Sequence, residues 1–237
     1  MGETTTIAWT QATANESWGC RKVDLSCKNC YMFRMREAHG DTGTRLIRKD
    51  LHKVSLQISA YAPEKRLVFF DDMTDLFGEF NAYEYIEQVM EEIIETNDDR
   101  EFQLLTKRIG RAMVFYRQKG YVPRNVWQGC SIGERSRLKR LDQLRQIDAK
   151  VRFVSFEPLI EDLGDFDLKG IHWAIIGGES GRKPLPREMK LEWAENIISI
   201  CRRDGVKVFF KQVGGYGGNG AGGDMINGRK IQEMPHW

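Results

Sequence analysis

Short apolar runs recur along the chain at long intervals, and they are rich in β-branched and aromatic residues. The seven clearest runs occupy residues 6–9, 66–70, 102–106, 126–132, 151–157, 172–178 and 207–212. Each run is nearly continuously apolar, which is the pattern of a strand covered on both faces. The pattern therefore predicts seven strands that lie inside the fold.

Segments with helical periodicity separate most of these runs. The clearest are residues 82–97 and residues 189–205, and Gly205 is a plausible stop for the second. One face of the second segment carries Leu191, Ala194, Ile197, Ile198 and Cys201. Strands that alternate with helices pair in parallel through right-handed crossovers. We therefore expect an α/β fold in which about seven mainly parallel strands form a full or partial (β/α) barrel of the TIM type.

Composition and charge are those of an ordinary globular protein. The 237 residues include 36 Lys and Arg and 34 Asp and Glu, so the net charge of +2 does not by itself indicate nucleic-acid binding. The first ten residues lack a basic region followed by an apolar run, and no apolar run is long enough to span a membrane. We expect a cytoplasmic protein without membrane association.

We also expect a single domain over residues 1–237, because no stretch of the chain has the composition of a linker. Within it, a cysteine loop occupies residues 18–33 and a glycine-rich tail begins at residue 213.

The cysteine loop contains three of the five cysteines, Cys20, Cys27 and Cys30. A structural zinc site usually has four protein ligands, and a disulfide framework an even number of cysteines. Three thiolates are the set expected for a metal centre that keeps one coordination position open. Zinc bound by these cysteines and a histidine, of which His39 is nearest, is an alternative, as is an iron–sulfur cluster without a catalytic role.

The other two cysteines, Cys130 and Cys201, occupy isolated positions. Cys201 falls on the apolar face of a predicted helix and Cys130 near the end of a predicted strand. A buried cysteine behaves as a small apolar side chain. We therefore expect both to be packing residues.

Cysteines on the loop after the first strand of a (β/α) barrel resemble those of the radical S-adenosylmethionine enzymes. In that family three thiolates bind a [4Fe–4S] cluster, and the fourth iron binds S-adenosylmethionine. The usual spacing is C-x3-C-x2-C, whereas this chain has six residues between Cys20 and Cys27 and two between Cys27 and Cys30. The closing C-x2-C and the aromatic Tyr31 after it are retained.

A closer resemblance covers nearly the whole chain. The segments that carry it, in order, are GCRKVDLSCKNCY, LLTKR, VSFEPL, IIGGESG, FFKQ and GR..QEMP. They are similar to a family of phage and bacterial proteins that has a three-cysteine motif and is grouped with radical-SAM-like barrels. The resemblance implies a [4Fe–4S] cluster on Cys20, Cys27 and Cys30, S-adenosylmethionine as the second cofactor, and an external electron donor.

The reaction implied by this resemblance is the reductive cleavage of S-adenosylmethionine to a 5′-deoxyadenosyl radical, which would modify or repair a substrate. The resemblance does not name that substrate. A protein of a different class is the alternative: a zinc- or cluster-stabilised nucleic-acid-binding or adaptor protein without catalytic turnover.

In barrels of this kind the working residues lie where strands end and helices begin. The candidates for cofactor binding at these ends are Asp71, Thr106, Lys107, Glu157, Gly177, Gly178, Glu179, Ser180 and Lys211. Loops are polar in any case, so the collective pattern carries more weight than any one residue. Inside the barrel mouth we expect Lys211 to pair with Glu157 or with Glu179.

The segment GGES, which begins at Gly177, allows three interpretations. Glycines let a ligand approach the backbone closely, and Glu179 could accept hydrogen bonds from an ammonium or a ribose. Radical S-adenosylmethionine enzymes use a similar Gly-Gly-Glu element, but on an earlier strand. The segment could also be only a tight turn, or bind phosphate with help from Arg182 and Lys183.

Two other strand ends carry charge. Lys107 and Arg108 form either an anion site or a solvated loop. After the run at residues 66–70, alternation places Asp71 and Asp75 in surroundings different from those of Asp72, so the three carboxylates are not automatically a metal cluster.

Charge is also segregated between two predicted helices. Residues 84–101 are acidic and residues 133–146 are basic, and the basic side chains are Arg135, Arg137, Lys139, Arg140 and Arg145. Most such helices are solvated surfaces. Together with the cations at strand ends, the segregation favours an anionic partner, with nucleic acid or a nucleotide-bearing molecule as the candidate substrate.

Overall fold

The computed structural model describes residues 3–236, and its centre is a curled sheet of seven strands. The strands are β1 Ala12–Ala14, β2 Leu67–Phe70, β3 Glu101–Thr106, β4 Val126–Ser131, β5 Val151–Phe156, β6 Trp173–Gly177 and β7 Lys207–Gln212. All neighbours are parallel, and their order in the sheet follows the chain from β1 to β7. Because β1 and β7 remain the two edges, the sheet is a partial barrel.

The first predicted strand is wrong. Residues 6–9 form an irregular segment that ends in a turn, and the chain enters the sheet only at Ala12. Trp9 is 3% exposed, and its ring centroid lies 4.6 Å from that of Phe69 and 6.2 Å from that of Trp173. The apolar character of this stretch reflects a ring buried inside the half-barrel, and not a strand. The other six strands are confirmed to within a residue or two.

Helices cover the outer face of the sheet. The helices are α1 Tyr31–Glu37, α2 Leu51–Ser59, α3 Tyr83–Val89, α4 Ile109–Lys119, α5 Arg140–Arg145 and α6 Leu191–Asp204. Of these, α2 to α6 pack on the outer face, whereas α1 packs against Met73 beside the cysteine loop. The helix predicted at residues 82–97 begins as α3 and continues as a π-helix, Met90–Glu95. The basic helix predicted at residues 133–146 is a 3-10 turn, Arg135–Arg137, followed by the short α5. Among residues 3–236, no helix is both long and apolar enough to cross a membrane.

Side chains alternate across each strand, which divides the protein into an outer and an inner core. Val68 and Phe70 of β2 pack against the helices, whereas Leu67 and Phe69 point into the half-barrel. The inner core near the strand starts is mainly aromatic and includes Trp9, Phe69, Trp127, Phe153, Trp173 and Phe209. The same inward rows reach polar residues at the carboxyl ends, namely Asp71, Lys107, Ser131, Glu157 and Lys211. The half-barrel is therefore filled at one end and open and polar at the other.

The glycine-rich segment from residue 213 is folded back on the barrel. Residues Gly215–Tyr216 pair with Ser180–Gly181, and Met225–Ile226 pair with Arg229–Lys230. Gln232 then forms an antiparallel bridge with Phe209 of β7. The end of the chain thus covers the edge strand β7, so the predicted tail is part of the fold.

The buried face of α6 differs from the prediction at one position. Ala194, Ile197 and Cys201 are buried as expected, but Leu191, the first residue of the helix, is 42% exposed. Ile200 lies on the buried side instead, with 3% of its surface exposed. The helix ends at Gly205 in the left-handed region, with φ 73°, as predicted.

We expect Ile200→Ala to lower the free energy of unfolding by about 2–5 kcal/mol, because it leaves a cavity in the outer core. Leu191→Ala, the matched control on the same helix, should change it by less than about 0.5 kcal/mol, as exposed substitutions usually do. Urea denaturation of the two variants measures both values. Equal losses would contradict the placement of α6.

Candidate functional site

A cavity of about 820 Å³ lies at the carboxyl ends of the strands. Its walls are the cysteine loop, the strand ends, residues 4–7 and residues 217–219. Its volume is in the range of small-molecule sites. All of the predicted site residues except Gly177 line this cavity, so the fold brings the cysteine loop and the strand ends together.

The three cysteines lie on one wall of the cavity and form no disulfide. Cys27 is the last residue of a 3-10 turn, Leu25–Cys27, and is buried; Cys30 directly precedes α1 and, like Cys20, is half-buried. Burial raises the pKa of the Cys20 thiol to about 12, and Arg108 opposes the shift. Burial also raises the pKa of Cys30, against the effect of Lys107. The thiols therefore lie next to cations.

The chemistry of these donors fits an iron–sulfur cluster. Thiolates are soft ligands that favour iron–sulfur clusters or zinc. Within residues 3–236, no three His, Cys, Asp or Glu side chains converge as the ligands of a single ion would. An iron–sulfur cluster binds each thiolate to a different iron, so its thiolates do not have to converge on one atom. His39 is exposed, with Nδ1 2.7 Å from the Met35 carbonyl oxygen, and does not line the cavity.

Arginines from other elements fix the backbone of the cysteine loop. Arg108, which follows β3, donates to the carbonyl of Arg21 at 2.9 Å. Arg187, which precedes α6, donates to the carbonyl of Leu25 at 2.8 Å. Hydrogen bonds from charged donors are stronger than neutral ones. These contacts hold the loop against two different strand ends.

A buried ion pair adds a third attachment. The Asp24 side chain has no exposed surface and lies 2.8 Å from the guanidinium of Arg140, which is itself 7% exposed. Arg140 also donates to the carbonyl of Ser131 at 2.6 Å. Burial raises the pKa of Asp24, but Lys107 and Arg140 outweigh it and lower the pKa to about 2. Asp24 is therefore charged at neutral pH and joins the loop to the end of β4.

The basic segment is consequently not the free cationic surface predicted for it. Besides the buried Arg140, Arg137 pairs with Glu134 at 2.8 Å, and Arg145 pairs with acids at 2.6 and 2.8 Å. Arg108 likewise pairs with Asp75 at 2.9 Å. The predicted anion-binding role of these arginines loses its support, because their charges are balanced within the protein.

Glu179 is held by protein groups on both oxygens. The guanidinium of Arg187 pairs with both of them, the Arg187 backbone N–H donates at 2.9 Å, and Asn29 donates at 2.8 Å. Burial raises the pKa of Glu179, but the hydrogen bonds from Arg187 and Asn29 lower it overall. Because Asn29 lies between Cys27 and Cys30, Glu179 ties the end of β6 to the cysteine loop.

The two glycines before Glu179 are required by packing. A Cβ at Gly177 would lie 2.6 Å from a carboxylate oxygen of Glu157, and one at Gly178 would lie 1.9 Å from the carbonyl oxygen of Val213. The backbone clash excludes a larger residue at position 178, and a larger residue at position 177 would have to displace the Glu157 carboxylate, so neither glycine requires a ligand to explain it. Ser180 begins the short strand Ser180–Gly181, so the segment GGES is a tight turn between β6 and that strand.

The predicted pair between Lys211 and Glu157 is present, with a separation of 3.0 Å. Ser155 donates to the second oxygen of Glu157 at 3.2 Å. The alternative pair of Lys211 with Glu179 is not formed, because Glu179 binds Arg187. The pair lies on the cavity wall between β5 and β7.

Thr106 and Lys107 have different surroundings. The Thr106 hydroxyl donates to Asp75 at 2.7 Å and accepts from the Arg108 backbone N–H at 2.9 Å, so it stabilises the turn after β3. Lys107 points inward, and its ammonium donates to the hydroxyl of Ser131. It also contributes to the low pKa of Asp24. Of the two residues, Lys107 is the one whose charged group lies at the cavity.

Asp71 and Asp72 are separated as alternation predicts. Asp72 is half-buried, and its carboxylate accepts hydrogen bonds from Asn15 and from the Tyr31 hydroxyl at 3.0 Å. Asp71 is 4% exposed and accepts from the backbone N–H of Glu16 at 3.3 Å. Both line the cavity.

Sequence reasoning missed the residues that position the loop. Asn29 and Arg187 bind Glu179, and Arg140 binds Asp24. None of these three contacts was predicted from the sequence. Asp24 carried a signal, because it is the one acidic residue between Cys20 and Cys30. Glu16, which is also buried, carried no such signal, because nothing in the sequence around it indicates burial.

We expect Arg140→Met to lower the free energy of unfolding by about 3–5 kcal/mol, because it leaves the buried charge of Asp24 without its partner. Arg135→Met is the matched control, since the Arg135 side chain is 60% exposed and its guanidinium lies 4.0 Å from the Asp162 carboxylate. That change should cost less than about 1 kcal/mol. Urea denaturation at pH 7 compares them, and a mild effect of Arg140→Met would show that the pair does not hold the loop.

Comparison with known proteins gives a family but no relative of known activity. Residues 4–235 match the family described as "Protein of unknown function (DUF5131)". No curated protein and no solved structure matches the chain. The family match spans almost the entire sequence, and the chain therefore belongs to the DUF5131 family.

Proposed function

We propose that this protein is a cytoplasmic iron–sulfur enzyme of the radical S-adenosylmethionine type. One observation carries the proposal: three free cysteines of a single loop line the same cavity as the carboxyl ends of a parallel half-barrel. In parallel barrels this end is where active sites lie. Cys20, Cys27 and Cys30 would hold a [4Fe–4S] cluster and leave one iron open.

When bound, the cluster supplies an electron for the reductive cleavage of S-adenosylmethionine, and an external electron donor restores it. The chain's own residues fix where this happens. Arg108, Arg140 and Arg187 attach the cysteine loop to three strand ends, so its thiols keep one position relative to the cavity. Glu179, predicted to contact the cofactor, is better assigned to positioning the loop through Asn29.

The cavity offers charges of both signs to a zwitterionic ligand. Asp72 supplies a carboxylate on one wall, and the Lys107 ammonium lies further round the barrel. An amino acid moiety needs such a combination, because its ammonium and carboxylate have opposite charges. These residues replace Glu179 as our candidates for direct contact with S-adenosylmethionine.

Two chain segments cover the open side of the half-barrel. Residues 4–7 and residues 217–219 both line the cavity, and Asn219 donates to the Thr6 hydroxyl at 3.0 Å. They lie where β1 and β7 fail to pair, so they separate the cavity from solvent on that side. Exclusion of water protects reactive intermediates from side reactions.

The surface of the cysteine loop favours an anionic substrate. Arg21, Lys22 and Lys28 are exposed, and the one acid between them, Asp24, is buried and neutralised by Arg140. Cations beside a cavity attract phosphate groups. A nucleic acid or a nucleotide-bearing molecule is therefore the proposed substrate class, and the loop replaces the basic segment at residues 133–146 as its binding surface.

Cys20→Ala, Cys27→Ala and Cys30→Ala should each abolish binding of the cluster. The full chain is reconstituted anaerobically with iron and sulfide, and iron content, visible absorption and formation of 5′-deoxyadenosine after addition of dithionite and S-adenosylmethionine are measured. The unchanged protein should give all three signals, because its three thiolates leave one iron open. Each variant should lose them.

Cys201→Ala is the control, since Cys201 is buried in α6 away from the cavity. It should keep the iron and the product. Retention of zinc with no iron would favour the alternative of a zinc-stabilised binding protein, and iron without 5′-deoxyadenosine a cluster without a catalytic role.

Charge reversal on the cysteine loop should weaken binding of single-stranded DNA and RNA. We expect Lys22→Glu with Lys28→Glu to lower the affinity and to reduce the slope of log affinity against log salt by about one for each phosphate that the variant no longer neutralises. Fluorescence anisotropy at two salt concentrations measures the slope. Lys53→Glu with Lys169→Glu reverses two exposed lysines elsewhere and should have little effect. If the charge reversal on the cysteine loop leaves binding unchanged, nucleic acid is excluded as the substrate.

A further inference from the structure

Two buried acidic residues lie next to each other where β2 ends, and the proposed cofactor site does not use them as a pair. Glu16 is 0% exposed and Asp71 is 4% exposed. The backbone N–H of Glu16 donates to Oδ1 of Asp71 at 3.3 Å, which places the two residues side by side. We refer to Glu16 and Asp71 as the carboxyl pair.

Each member of the carboxyl pair has one oxygen without a hydrogen-bond partner. These atoms are Oε1 of Glu16 and Oδ2 of Asp71, and neither finds a donor among residues 3–236. Buried polar atoms nearly always have a partner, so two exceptions in adjacent side chains call for a reason. A proton shared between the carboxyl groups, or a donor or acceptor brought by a ligand, would supply one.

The neighbours that face the pair are mostly neutral or acidic. Tyr85 donates to the second oxygen of Glu16 at 3.3 Å, and the Ser17 hydroxyl lies beside the same carboxyl group. On the other side, the nearby carboxylates of Asp72 and Asp75 act on Asp71. Further negative charge here makes the ionised form of Asp71 less stable.

Two cations lie close but are engaged elsewhere. Lys49 donates to the carbonyl of Asn15 at 2.7 Å, and Arg48 donates to the side chain of Asn81 at 3.1 Å. Within the described residues, neither cation forms an ion pair with the carboxyl pair. The positive charges of Lys49 and Arg48 stabilise the negative charge of the carboxyl pair through space, but they do not hold either carboxylate in place.

Both carboxyl groups of the pair hold their protons more tightly than isolated carboxyl groups do. Burial raises the pKa of Asp71 well above its usual range, and the charge of Glu16 raises it further. Burial also raises the pKa of Glu16, and the hydroxyls of Ser17 and Tyr85 only partly oppose it. The pair therefore keeps one proton where isolated carboxyl groups would have lost theirs.

The backbone places this proton at the cavity. Asp71 has φ 70°, in the left-handed region that aspartate and asparagine adopt more readily than other side chains. Its side chain lies on the inward row of β2 and lines the cavity, whereas Glu16 lies behind it. Backbone strain of this kind is concentrated at functional sites.

We propose that Glu16 and Asp71 share a single proton at neutral pH and that Asp71 offers it to the cavity as a hydrogen-bond donor and proton source. The ligand atom that receives the hydrogen bond or proton from Asp71 is an acceptor: a carboxylate or carbonyl oxygen, or an unprotonated nitrogen. On full transfer the O–H bond of the pair breaks and an acceptor–H bond forms. The pair is left with two negative charges beside Lys49 and Arg48. The site does not depend on the cluster.

Infrared spectroscopy of the full chain at pH 7 tests the shared proton directly. The unchanged protein should show the C=O stretch of a protonated carboxyl group, which is absent when every carboxyl group is ionised. Asp71→Asn should remove this band, because Glu16 alone has the Ser17 and Tyr85 hydroxyls and the nearby Arg48 and Lys49 to stabilise its ionised form. Asparagine also suits the left-handed backbone at residue 71. Asp72→Asn, on the same wall, is the control and should retain the band.

Exchange into D₂O tests whether the proton is offered to the cavity. The band should shift within the mixing time of the experiment, because Asp71 lines an open cavity. A band that shifts only after global unfolding would overturn the accessibility of the proton. Absence of the band in the unchanged protein, or its survival in Asp71→Asn, would overturn the shared proton itself.

Unfolding at different pH values provides a second, independent readout. A group whose pKa is raised in the folded state makes the fold less stable as pH rises above its unfolded pKa. Relative to the double variant Glu16→Gln with Asp71→Asn, the unfolding equilibrium constant of the unchanged protein should increase by up to about tenfold per pH unit above pH about 5, until the folded pair loses its proton. Equal pH dependence in both proteins would contradict the proposal.

Discussion

The alternation of side chains across a parallel sheet is the constraint from which the rest of this structure follows. Because neighbouring residues of a strand face opposite sides, each strand carries one inward row of side chains that continues to its carboxyl end. Near the strand starts these rows carry aromatic rings, and at the ends they carry Asp71, Lys107, Ser131, Glu157 and Lys211. One geometric rule thus produces both a packed floor and a polar cavity above it.

The cysteine loop depends on a second set of interactions, between buried charges. The apolar packing of the loop is confined to one small cluster, in which Met32 and Phe33 contact Met73. Arg108, Arg140 and Arg187 reach it from three strand ends and bind its carbonyl groups and Asp24. Arg108 and Arg140, which the sequence presented as candidates for anion binding, therefore serve the interior. The free positive charge lies instead on the loop's outer side, at Arg21, Lys22 and Lys28.

Much of this architecture could be predicted from the sequence, because buried parallel strands leave continuous apolar runs. Six of the seven strands, the pair of Lys211 with Glu157 and the burial of Cys130 and Cys201 were found in this way. The error at residues 6–9 arose because a buried Trp9 has the same apolar signature as a strand. Contacts such as Glu179 with Arg187, or Glu16 with Asp71, depend on the angle at which chain segments meet, and no periodicity encodes that angle.

The central claim is that three thiolates of one loop hold a cluster whose open iron faces the cavity. Electron paramagnetic resonance of the reduced, reconstituted full chain, recorded with and without S-adenosylmethionine, tests it most directly. The account predicts the signal of a reduced [4Fe–4S] cluster that changes when S-adenosylmethionine is added, because the ligand binds the open iron. A cluster signal that S-adenosylmethionine leaves unchanged, or a protein that takes up zinc and no iron, would contradict it.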